Sequence, residues 1–162
     1  MIDGTDAEIL KILQSNSRTS NAEIARQVGL APSAVFERIR KLEERGVVEG
    51  YGARLNPKVM GVPLLAFVFV RADEKPGAEE TAARVAAIPE VLEVHDVAGE
   101  DCLLVKVRAA DTEALGRILR DRFGRIDSIT STRTTIVLET VKESSALPLE
   151  TAPPPLPESV RV

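Results

Sequence analysis

A chain of 162 residues with 44% apolar composition is long enough to bury a real core, as one ordinary domain or two small ones. Its longest apolar run, Val62 to Val70, falls far short of the roughly 20 residues a bilayer span needs, and its first ten residues lack the basic-then-apolar pattern of a secretion signal, so a cytoplasmic location and no membrane partner are expected. One cysteine, Cys102, and one histidine, His95, exclude an internal disulfide and are too few for a structural zinc site, so neither metal nor cofactor is expected, and the net charge of −4 disfavours nucleic acid only as a whole-chain average.

That average hides an asymmetry. Residues 1–60 carry 9 basic and 8 acidic side chains, net +1, whereas residues 61–162 carry 12 and 17, net −5. A phosphate-facing patch is therefore admissible in the first part, because the local field matters more than the total.

Taken in chain order, Ile9, Leu10, Ile12 and Leu13 form a helical stripe over residues 6–14, with Asp3 to Asp6 offering capping and acidic groups at its start. The run from Ser15 to Asn21 breaks it. Ser20, followed three residues later by Glu23, is a capping-box signature for a second helix with Ile24, Ala25 and Val28 on its apolar face, and Gly29 ends that helix. A third helix starts at Pro32, buries Val35, Ile39 and Leu42, and stops at Gly46. After it, Val47 to Pro57 reads as a strand or extended hinge, and Asn56-Pro57 with Gly61 punctuate a boundary.

Further on, residues 64–72, 91–98, 102–109 and 128–141 read as strands, and 77–88 and 111–123 as helices. The order β-α-β-β-α-β is the ferredoxin-like arrangement, in which two helices cover one face of an antiparallel sheet and leave the other to find cover, commonly in a second copy. The fold class expected is α+β: a winged-type helix-turn-helix domain over 1–50, a linker over 51–61, a ferredoxin-like ligand-binding and dimerisation domain over 62–143, and a proline-rich flexible tail over 144–162 holding five of the chain's ten prolines.

A helix that enters the major groove must be apolar inward and polar or basic outward. With Val35, Ile39 and Leu42 inward, the third helix presents Ser33, Ala34, Glu37, Arg38 and Lys41, with Arg40 on one flank. Arg38 is placed to read guanine bidentately, Arg40 and Lys41 to meet phosphates, Ser33 to meet a phosphate or base edge, and Glu37 to accept from cytosine. Periodicity alone supports an ordinary amphipathic helix with a solvated charged face equally well.

Several stretches carry a resemblance that separates these readings. They are D-x-x-D-x-x-I-L from Asp3, N-x-R from Asn16, I-A-x-x-V-G-L from Ile24, R-I-x-x-L-E-x-x-G from Arg38 and G-Y from Gly50. In this order they resemble the DNA-binding half of the Lrp/AsnC, or feast/famine, transcriptional regulators. The segments VAGEDCLLVKVRAADTEAL, from Val97, and TRTTIVLETVK, from Thr132, resemble the family's second half, so the resemblance covers residues 2–143.

The resemblance implies a sequence-specific regulator of double-stranded DNA, not an enzyme. It further implies a homo-oligomer that dimerises through its sheets and assembles to an octamer, and a small-molecule effector, commonly an amino acid, bound where dimers meet. Two departures stand out: Ala31 occupies the position where the family commonly caps its reading helix with serine, and Glu100 precedes the loop aspartate where an aromatic is common.

For the effector, Gly99 and Asp101 lie between two strands, and a carboxylate there suits an α-ammonium group, although the same pair also reads as hairpin-turn chemistry. Thr132 and Thr134 offer hydroxyls to a ligand carboxylate, although threonine is also a common strand former. Cys102 reads as a core residue, Arg117, Arg120, Arg122 and Arg125 as a solvated or contact face, and Arg133 as an assembly contact. The competing functions are a tetrapyrrole decarboxylase of sirohaem type, which needs more histidine than one, and a ligand-binding assembly module without DNA reading, which Arg38, Arg40 and Lys41 disfavour.

Overall fold

The computed structural model describes residues 2–73 and 80–149. The chain divides into two compact units: residues up to Ala53 gather with the segment from Glu143, and Arg54–Lys142 form the other. Of the proline-rich tail expected from residue 144, everything beyond residue 149 lies outside the described residues.

In the first unit, helices α1 (Gly4–Ser15), α2 (Asn21–Val28) and α3 (Pro32–Glu44) share one core. Asp3 caps α1 in a reciprocal box: the Asp6 amide donates to its carboxylate at 2.7 Å, and its own amide donates to the Asp6 carboxylate at 3.3 Å. Ser20 caps α2 by accepting from the Glu23 amide at 3.2 Å, but Glu23 turns its carboxylate to Arg26 and Gln27, so half of the expected box forms. Gly29, at φ 71°, takes the left-handed conformation that closes α2 at no side-chain cost. Ala31 makes no side-chain cap, and Pro32 at the first turn starts α3 with its φ already set.

Ile9, Ile24, Ala25 and Val35 are buried at the centre of this unit. Each of the larger three contributes about 1.5–3 kcal/mol by leaving water. Ile12, Leu13, Val28, Leu30 and Ile39 pack around them.

Between Arg45 and Pro63 no strand forms. Of the two readings for the segment from Val47, strand or extended hinge, the structure takes the hinge, because a strand's amides and carbonyls need a neighbouring strand and the first unit consists of helices. Leu55, Val59 and Met60 consequently stand exposed along this segment.

The second unit contains β1 (Leu64–Ala72), α4 (Glu80–Ala86), β2 (Val91–Asp96), β3 (Leu103–Ala109), α5 (Thr112–Asp121), a short 3-10 helix (Phe123–Arg125) and β4 (Ile129–Ile136). The sheet order is β2-β3-β1-β4, antiparallel throughout, which is the ferredoxin-like topology. Residues 77–79, expected to open α4, lie outside the described residues.

Strand alternation divides the two faces. Ala66, Val68 and Val70 of β1 stand opposite Val107, Val105 and Leu103 of β3, and this set is buried with Val85, Ile88, Leu115, Ile118 and Phe123. On the other face Phe67, Phe69 and Leu104 remain half-buried, uncovered by any helix. β4 ends at Ile136, opposite Ala66 near the start of β1, five residues before the expected limit. Beyond it Leu138 and Val141 are 98% and 91% exposed, so the chain itself gives them no cover.

Candidate functional site

Helix α3 is held at its start by Pro32 and in its middle by Val35 and Leu42, which fixes the direction of its polar residues. Ser33, Glu37, Arg40 and Lys41 are exposed, and Ala34 is half-exposed. Arg38 departs from the outward orientation that its position on the helix suggests. Its Nη1 donates to Asp3 and Asp6 of α1, each at 2.7 Å, and Asp6 is itself buried.

These two carboxylates raise the Arg38 guanidinium above its ordinary value. Asp3 is lowered in turn, first by the Asp6 amide it caps and then by Arg38. Arg38 therefore fastens α3 to the start of α1, and reading guanine would require it to give up these two carboxylates. Periodicity gave its angle around the helix but not the two carboxylates that α1 brings to that angle.

Arg40 is also engaged, donating to Glu37 through Nε at 3.3 Å and Nη2 at 2.8 Å, and to Glu44 through Nη1 at 2.6 Å. Glu37 and then Glu44 raise it above its ordinary value. All three partners lie on one exposed helix, where such pairs are weak and readily exchanged for a phosphate. Lys41 has no ion-pair partner among the described residues. It lines a cleft of about 350 Å³ with Ala34, Glu37 and Arg45, and Arg45, which the sequence reading passed over, extends the cationic side of this face.

A second groove of about 280 Å³ runs between Phe36, Ile39, Arg40, Glu43 and Tyr51. Tyr51 donates its hydroxyl to Glu43 at 2.8 Å. Burial and then the Glu43 carboxylate push the phenol up to about 12.

In the second unit, the loop between β2 and β3 carries Gly99 at φ 151°, a backbone region that favours glycine. Asp101 accepts from Arg133 Nη2 at 2.8 Å, and the Arg133 guanidinium lies 4.0 Å over the Phe69 ring. Arg71 Nε donates to the Glu100 carbonyl at 3.0 Å, so two arginines staple the loop. Arg133 stands opposite Phe69, on the face the helices leave open.

Thr132 and Thr134 stand opposite Val70 and Val68, on the helix side of the sheet. They share one face, as the sequence suggested, but alternation sets that face away from Arg133 and its partner Asp101. Arg133 had no place in the expected ligand set, because nothing in the sequence pairs it with Asp101.

The remaining candidates are accounted for locally. Cys102 is half-buried with its sulfur 3.5 Å from the Ala72 carbonyl. His95 lies 3.4 Å from Glu93, whose carboxyl is held below the usual range chiefly by Lys106. No helix among the described residues is long and apolar enough to cross a membrane, and no three metal-ligating side chains cluster among them.

Comparison with known proteins agrees with these two units. The family described as "Winged helix-turn-helix DNA-binding" matches residues 2–49, and "Lrp/AsnC ligand binding domain" matches residues 65–147. The HTH-type transcriptional regulator FL11 of Pyrococcus horikoshii is 39% identical over 150 residues, covering 92% of this chain and 97% of that protein. The leucine-responsive regulatory protein of Haemophilus influenzae is 37% identical over 151 residues, covering 92% and 91%. Among solved structures, a Neisseria meningitidis transcriptional regulator in complex with L-methionine superposes with a TM-score of 0.87 at 33% identity, covering 92% of this chain and 97% of that one. A feast or famine regulatory protein of M. tuberculosis, also complexed with L-methionine, gives 0.85 at 35% identity, covering 93% and 100%.

Proposed function

The chain belongs to the Lrp/AsnC family of DNA-binding transcriptional regulators, and on that premise we propose that it docks α3 in the major groove and answers to an amino acid bound at the β2–β3 loop. The observation that carries the DNA half is the exposed face of α3, where Lys41 has no ion-pair partner among the described residues and Arg40 is held by weak pairs within its own helix. Lys41 and Arg40 take phosphates; Ser33, Ala34 and Glu37 approach base edges; Arg38 keeps α3 at the angle that allows this. A tetrapyrrole decarboxylase finds no support, since the relatives are named transcriptional regulators and the one histidine is exposed beside Glu93.

For the effector, the Asp101–Arg133 pair is complementary to a zwitterion. The ligand ammonium replaces Arg133 at the Asp101 carboxylate, and the ligand carboxylate takes the released guanidinium. The Neisseria meningitidis and M. tuberculosis regulators are both complexed with L-methionine, which makes an amino acid the ligand class to test first. Gly99 shapes the loop, and Thr132 and Thr134 serve only a ligand approaching the helix-side edge of β4.

The open sheet face and the exposed Leu55, Val59, Leu138 and Val141 favour a second copy as cover, and so a dimer able to assemble further, to an octamer. Calorimetry of the full chain across the twenty amino acids, followed by DNA titration with each binder, tests this reading. An amino acid that binds and shifts DNA affinity in wild type but not in Asp101→Ala supports it; binding unchanged in that variant refutes the role given to Asp101.

A further inference from the structure

A cleft of about 600 Å³ opens between α5, the short 3-10 helix and the end of β3, walled by Arg108, Arg117, Arg122, Arg125, Glu90 and Asp121. Two features distinguish it from a solvated charged surface. Arg122 and Arg125 have no ion-pair partner among the described residues, whereas Arg117 is held by Glu113 at 2.7 Å. In the same wall, Glu90 Oε2 is buried without a hydrogen-bond partner among the described residues. A buried carboxylate oxygen is rarely left without a donor, so this one favours a hydrogen-bond donor entering the cleft.

The charges narrow the ligand. Of the four lining arginines, Arg117 is already paired with Glu113, which leaves Arg122 and Arg125 as the two cations without an ion-pair partner among the described residues. Two such cations match the phosphate of a phosphomonoester, which carries about −1.5 to −2 at neutral pH. Guanidinium forks grip such oxygens in pairs. An ammonium or a hydroxyl on the same molecule would give the Glu90 oxygen the donor it lacks among the described residues.

We propose that this cleft binds a small phosphomonoester whose phosphate meets Arg122 and Arg125 and whose ammonium or hydroxyl donates to Glu90 Oε2. The site lies on different residues from the β2–β3 loop and stands independently of it. A DNA backbone offers the same phosphate chemistry but only one charge per diester and no donor on the phosphate for Glu90.

The test is calorimetric titration of the full chain with O-phosphoethanolamine and, separately, with inorganic phosphate. O-phosphoethanolamine is expected to bind saturably and more tightly than phosphate. An Arg122→Ala, Arg125→Ala double variant, altered only at exposed positions, should lose affinity on the order of tenfold or more. Glu90→Gln should weaken O-phosphoethanolamine toward the affinity of inorganic phosphate while leaving inorganic phosphate unchanged. Absence of saturable heat up to about 10 mM ligand, or equal affinity in wild type and the double variant, overturns the proposal. So does a double variant that binds O-phosphoethanolamine normally but duplex DNA less tightly and with a shallower salt dependence, which would assign these arginines to nucleic acid.

Discussion

The exposed face of α3 and the open face of the sheet both present arginines beside carboxylates, yet the pairs differ in kind. On α3, Arg40 is matched within its own helix by Glu37 and Glu44, while Arg38 reaches across to a buried carboxylate of α1. On the sheet, Arg133 reaches across strands to a loop, with Phe69 beneath it. A pair inside one exposed helix is easily exchanged and leaves its cation available to DNA. A pair that ties two elements together has its partner fixed by the fold, so breaking it changes either stability or the state of a loop.

Removing the deepest of these ties should have the largest effect. Arg38→Ala leaves the buried Asp6 without its cation and should destabilise the first unit by about 1–3 kcal/mol. It should also weaken binding to every DNA sequence alike. Thermal denaturation and DNA titration check both, and a stable variant with relaxed base preference would restore Arg38 as a base reader.

Lys41→Ala, with no ion pair to break among the described residues, should leave the melting temperature unchanged, lower affinity for all sequences, and reduce the slope of log affinity against log salt by about 1. Arg40→Ala should show the same pattern with a smaller loss, because wild type must first give up Glu37 and Glu44. Fluorescence-anisotropy titrations at several salt concentrations rank the two.

Arg133→Ala acts on a pair whose arginine is largely exposed, so its effect on stability should be within about 1 kcal/mol, while the amino-acid response is lost. An intact response in this variant would separate Arg133 from the effector.

The smallest effect is the sharpest to read. Tyr51 is the one tyrosine in a chain without tryptophan, so phenolate absorbance reports it alone. Its midpoint should lie at about 12, and Glu43→Gln should bring it down toward the ordinary value. The folded state keeps this proton longer than the unfolded chain does, so the associated stability is complete below the ordinary tyrosine pKa and is lost as pH rises from there through about 12. A midpoint at the ordinary value would remove the Glu43 contact.

Local chemistry was legible in the sequence, and long-range pairing was not. Asp3, Ser20, Pro32 and Gly29 announced their helix ends because capping depends on residues within one turn. Leu64 to Ala72 announced β1 through its apolar run and its limits. The fastening role of Arg38 was hidden because Asp3 and Asp6 come to it from 32 or more residues away. The Asp101–Arg133 pair spans a similar separation. The choice between strand and hinge at Val47–Pro57, and the end of β4 at Ile136 rather than Val141, were not legible for another reason: they depend on whether a neighbouring strand is at hand, and none lies beside these segments among the described residues.

Selection of binding sites from a random duplex pool by the 162-residue wild type and by Lys41→Ala tests most directly whether α3 is the DNA-facing element. The expected result is enrichment of two half-sites about one helical turn, or a multiple, apart, with the same consensus recovered by Lys41→Ala at lower affinity. Failure of the wild type to enrich any sequence, or equal affinity of both proteins for the selected site at every salt concentration, would contradict it.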